Sequence, residues 1–89
     1  MKNPAKPALE FPARFPIKAI GKTAGNFALL VTEIVRRHAP DLDDETVKTR
    51  LSNGGKYLAV TATIIAQNQE QIDALYRELT AHDKVLYVL

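Results

Sequence analysis

Eighty-nine residues, 46% hydrophobic and 25% charged, are the material of one small globular domain. The absence of cysteine excludes disulfides, thiolate nucleophiles and thiolate-held metals, and points to a reducing cytoplasm. The net charge of +2 is uneven: seven Lys/Arg against two Glu in residues 1–37, five against eight Asp/Glu in residues 38–89, a milder asymmetry than the basic stripe of most nucleic-acid modules.

Met1-Lys2-Asn3-Pro4 leads into no apolar leader, and no apolar run approaches the ~20 residues of a membrane span, so neither secretion nor a membrane is expected. Pro4, Pro7 and Pro12 predict an extended tail over residues 1–13, since proline fixes φ and donates no amide. Leu9 and Phe11 are apolar positions within it, fit to dock on a domain spanning residues 14–89. Phe15 to Ile20 alternates, with Phe15, Ile17 and Ala19 on one side and Pro16 and Lys18 on the other, which predicts a half-buried first strand ended by Gly21. Asn26 or Thr23 is placed to cap a helix running to about His38. Phe27, Leu30, Val31, Ile34 and Val35 make its apolar stripe, Glu33 and Arg37 an i, i+4 pair, and Ala39-Pro40 the stop.

Glu45 to Ser52 alternates as a second strand, and Asn53-Gly54-Gly55 is a hairpin signal because these residues tolerate positive φ. Tyr57 to Ala66 is the third strand, with Leu58, Val60, Ala62, Ile64 and Ala66 on one face. Asn68, with Gln71 three residues on, opens a second helix whose stripe is Ile72, Leu75, Tyr76 and Leu79. Asp83 to Leu89 is the fourth strand, with Val85, Tyr87 and Leu89 expected toward the helices and Leu86 and Val88 toward the other face.

The order βαββαβ, with right-handed crossovers, predicts an α+β ferredoxin-like sandwich: a four-stranded antiparallel sheet, order 4-1-3-2, with both helices on one face. The other sheet face is left bare. A fourth strand apolar on both sides calls for cover, so Leu86 and Val88 are candidate contacts for a protein partner or a second copy at the sheet edge or bare face.

The residue types that carry chemistry form no reaction centre. Gly21-Lys22-Thr23 ends like a phosphate-binding loop, but Pro16 stands where the motif needs glycine. His38, Asp41, Asp43 and Asp44 lack calcium-loop spacing, and His82-Asp83 has no nucleophile at matching spacing. No catalytic residue, metal or cofactor is therefore expected. A single-strand nucleic-acid binder is the alternative, with Lys18, Lys48 and Arg50 on phosphates. However, Ala59 occupies the place where a second stacking ring belongs after Tyr57.

The segments Leu9-Glu10-Phe11-Pro12, Phe15-Pro16-Ile17-Lys18, Arg37-His38-Ala39-Pro40, Thr46-Val47-Lys48 and Leu75-Tyr76-Arg77-Glu78-Leu79, in this order and spacing, resemble the YbeD-like family of small bacterial proteins. That family is similar in fold to the ACT domains, which sense amino acids for metabolic enzymes. The resemblance implies a non-enzymatic regulatory or interaction role. It also implies a small-molecule site after the first strand, over Gly21, Lys22, Thr23, Ala24, Gly25, Asn26 and Phe27, and, through gene neighbourhood, a link to lipoate metabolism. ACT loops carry an acid there that this loop lacks.

Overall fold

A computed structural model describes residues 10–89. Its elements are β1 (Ala13–Lys22), α1 (Phe27–His38), β2 (Lys48–Leu51), β3 (Tyr57–Ala66), α2 (Gln69–Ala81) and β4 (Val85–Val88), with 3-10 turns at Asp44–Thr46 and Asn53–Gly55. All pairings are antiparallel and the order is β2-β3-β1-β4, the ferredoxin-like order expected from the sequence. β1 begins at Ala13, and Phe11 packs half-buried against the core; Leu9 lies outside the described residues.

Alternation decides which sheet face is buried. Ile17 and Ala19 of β1 and Val60, Ala62, Ile64 and Ala66 of β3 are almost fully buried, and they meet Phe27, Val31, Ile34 and Val35 of α1 and Ile72, Leu75 and Leu79 of α2. The β-branched run in α1 is a poor helix former, but its buried members each remove apolar surface from water, worth about 1.5–3 kcal/mol per large side chain. Packing thus holds this helix.

Pro16 sits inside β1 without breaking the sheet, and the hydrogen bonds show why. Lys18 exchanges both backbone bonds with Leu89, so its amide points toward β4, and the residue two before it points the same way. β4 does not extend to Pro16, so the missing amide faces no ladder.

Three expectations are corrected. Asn26 precedes α1 but makes no side-chain cap, and Thr23 does not cap either. Thr23 instead donates from Oγ1 to the Gly55 carbonyl at 2.7 Å and from its amide to Lys56 at 3.0 Å, tying the β1–α1 loop to the β2–β3 turn. Arg37 does not pair with Glu33; it reaches Glu78 on α2. β2 starts three residues late, because Asp43 accepts the Glu45 amide at 3.0 Å and winds Asp44–Thr46 into a turn. Thr46 Oγ1 then lies 3.1 Å from the Thr63 carbonyl oxygen, so a side chain continues the pairing where the strand has stopped.

The second helix starts as its sequence indicated. Asn68 Oδ1 accepts the Gln71 amide at 2.8 Å. Gln71 reaches back to accept the Gln67 amide at 2.6 Å and donates from Nε2 to the His38 carbonyl at 2.7 Å, which fastens the start of α2 to the end of α1.

Candidate interaction surface

The faces of β4 differ from expectation because of a bulge. Ile20 pairs with Tyr87 but Gly21 pairs with Val85, so Leu86 is an extra residue with no partner on β1. Parity is lost across it. Val85 points into the core, and Val88, opposite buried Ala19, packs against the core as well. Leu86 and Tyr87 both stand on the helix-free face, 50% and 55% exposed. The candidate contact at Leu86 thus lies on the open surface, Val88 does not, and Tyr87 takes its place.

Register lays out the rest of this face. One row across the sheet is Arg50, Ala59, Ile20 and Tyr87; the next is Lys48, Thr61, Lys18 and Leu89. At the usual strand spacing each row spans about 14 Å. Lys18, Lys48 and Arg50 therefore share one surface, as their alternation required.

Beside the first row lies an open groove of about 470 Å³, lined by Ile20, Leu51, Tyr57, Leu86 and Tyr87 and bounded by Arg50. Ile20 forms its floor: it is only 8% exposed although it stands outside the helix-packed core. Ala59, too small to stack on a base, is what lets the groove reach that floor. Sequence alternation pointed to Tyr57, but it missed Tyr87, because β4 contains no glycine or other mark of a bulge.

The loop after β1 sits at a second, smaller cleft. Lys22, Ala24 and Phe27 meet Asp83, Lys84 and Leu86 there, around about 320 Å³. Thr23 is turned away to the β2–β3 turn, and the Phe27 ring is buried against Gly21. Gly25 has a φ of 73°, a left-handed turn that glycine adopts without strain. Asp83 brings to this cleft the carboxylate that the loop itself lacks.

Several titratable groups elsewhere have structural partners. His38 Nε2 lies 2.6 Å from Glu78 Oε1, and Arg37 hydrogen-bonds the other oxygen. The Arg37 hydrogen bond, seconded by that of His38, holds the Glu78 carboxyl below its ordinary pKa. Asp44 pairs with Arg36, which also donates to the Leu42 carbonyl at 3.2 Å. His82 Nδ1 accepts the Lys84 amide at 3.1 Å, and Ser52 Oγ accepts that of Tyr57 at 3.0 Å. No helix among the described residues is long and apolar enough to cross a membrane.

Fold and surface together define a small α+β protein of ferredoxin-like layout, with a cationic, partly apolar open sheet face. The chain belongs to the family described as protein of unknown function (DUF493), whose profile matches residues 6–89. It is 42% identical to a UPF0250 protein of Chromobacterium violaceum over 89 residues, the whole of both chains. A UPF0250 protein of Pseudomonas paraeruginosa is 46% identical over 84 residues, 93% of this chain and 90% of that one. One from Bordetella pertussis is 43% identical over 86 residues, 97% and 94% of the two chains. The YbeD-like resemblance of the sequence agrees with this family.

Proposed function

We propose that this chain is a non-enzymatic regulatory module of the cytoplasm that works by binding another protein on its bare sheet face. One observation carries the reading: exposed Leu86 and Tyr87, placed together by the bulge, wall an apolar groove over Ile20 on the face that no helix covers. Clustered apolar surface of this kind is what binding sites present, whereas singly scattered apolar residues are ordinary. The employment of both histidines, Ser52 and Glu78 in structural hydrogen bonds supports a role without a reaction of its own. A photo-crosslinking residue at position 87, compared with one at Arg77 on α2, tests it in living bacteria. Discrete cross-linked products at 87 and none at 77 are expected; the same products at both positions, or none at either, would overturn the reading.

A second reading concerns the smaller cleft, where Lys22 and Lys84 offer cations and Asp83 an anion, a set matched to an amino acid's carboxylate and ammonium. It fits the ACT-like resemblance and is tested by thermal shift against the amino acids. A ligand at a hundred times its Kd stabilises by about 2.7 kcal/mol. If no amino acid raises the melting temperature, the cleft is not such a site.

A further inference from the structure

Resting on the bare-face reading, the geometry points to one class of partner: a protein segment that presents Asp and Glu around one large apolar side chain. Charge placement carries this. All ten Asp/Glu residues lie on helices, turns or loops, and none lies in a strand. The strands instead carry Arg14, Lys18, Lys22, Lys48 and Arg50, and the register puts all five on the bare face.

A second copy offering the same face would set these cations against their equivalents, and like charges across an interface repel. An acidic segment meets the opposite situation. Its apolar anchor fills the groove over Ile20 between Leu86 and Tyr57. Acidic residues beside the anchor meet Arg50 at the groove's edge and Lys48 and Lys18 one row away. Arginine there suits a carboxylate, which it grips through two parallel hydrogen bonds.

Single-stranded nucleic acid fits less well. It asks for rings that take successive bases. Here Tyr57 and Tyr87 lie on β3 and β4 with β1 between them, and aliphatic Ile20, Leu51 and Leu86 occupy the surface that bases would need.

The experiment pans the full chain, immobilised, against a phage library of random 12-residue peptides and measures the enriched peptides by fluorescence anisotropy. Enriched sequences are expected to hold Asp/Glu next to a Leu, Phe, Tyr or Trp. Binding should weaken at least tenfold for Leu86→Glu, and at least tenfold for Lys48→Glu/Arg50→Glu. Circular dichroism confirms that both variants fold; both alter exposed side chains.

Enriched peptides without acidic residues that still lose affinity for Leu86→Glu would overturn the partner class and leave the face intact. No enrichment, or peptides indifferent to Leu86→Glu, would overturn the face and with it the reading beneath. Tighter binding of a 12-nucleotide oligouridine than of any peptide, abolished by Lys48→Glu/Arg50→Glu, would overturn the proposal in favour of nucleic acid. A dimer in sedimentation that Leu86→Glu dissolves would overturn it in favour of a second copy.

Discussion

The Phe27 ring lies so close over Gly21 that a β-carbon at residue 21 would stand 2.5 Å from Phe27 Cε1 and 2.7 Å from the Lys84 carbonyl oxygen. Glycine is therefore required where β1 passes between the first residue of α1 and the approach to β4. Gly21→Ala is expected to cost about 1–3 kcal/mol, the usual range for overpacking. For a chain of this size each kcal/mol lowers Tm by roughly 4–8 °C. Adding Phe27→Leu to Gly21→Ala should recover part of the loss. If thermal unfolding of Gly21→Ala matches the parent, the ring is not held there.

The bulge predicts opposite outcomes for neighbouring residues. Val88→Asp buries a carboxylate against the core and should destabilise by about 1–3 kcal/mol. Tyr87→Asp changes an exposed side chain and should stay within about 0.5 kcal/mol. Urea midpoints separate the two. The reverse order, with Tyr87→Asp the costlier, would mean that the strand follows simple alternation.

Those two residues also show where the sequence was legible and where it was not. β3 follows its alternation from Tyr57 to Ala66 without exception, because both neighbours pair with it in unbroken register. β4 does not, because one unpaired residue reverses every later side chain and leaves no local trace in Leu86-Tyr87-Val88. Side-chain bonds hid other features. Thr23 looked like a cap and became a tie to the turn at Gly55, and Asp43 wound a turn out of residues whose alternation suggested a strand. Arg37 had a helical neighbour at the favoured spacing, yet a doubly bonded carboxylate on α2 draws it away. The cations of the bare face were readable from alternation; the groove among them was not.

Gln71 makes three hydrogen bonds, through its amide, Oε1 and Nε2, to Asn68, Gln67 and His38. Gln71→Ala removes the two made by the side chain and should cost about 1–3 kcal/mol at roughly 1 kcal/mol each. Asn68→Ala removes the cap alone, about 1 kcal/mol. Amide hydrogen exchange should quicken in the first turn of α2 in both variants. Only Gln71→Ala should also loosen the end of α1.

The depressed pKa of Glu78 gives a pH dependence of definite sign. The folded state favours the carboxylate, so the stabilisation is complete above the ordinary value of 4.5 and fades as the pH falls through the lowered one. The side chain is 35% exposed, and solvent screening keeps the effect below about 1 kcal/mol. Glu78→Gln should be slightly less stable at neutral pH and should lose less stability on acidification. Urea unfolding at a series of pH values below 5 checks this; parallel curves for parent and variant would show that the pair with Arg37 contributes nothing.

Confining every Asp and Glu to helices, turns and loops, with the strand cations all on one face, separates these charges across the molecule as an electric dipole. A negatively charged body approaching from any side exerts a torque that turns the open sheet toward it before contact. The field reaches only about 8 Å at physiological ionic strength, so the alignment acts in the last moments of an encounter. Its signature is kinetic: association slows steeply with added salt, while dissociation, governed by the groove around Ile20, changes little.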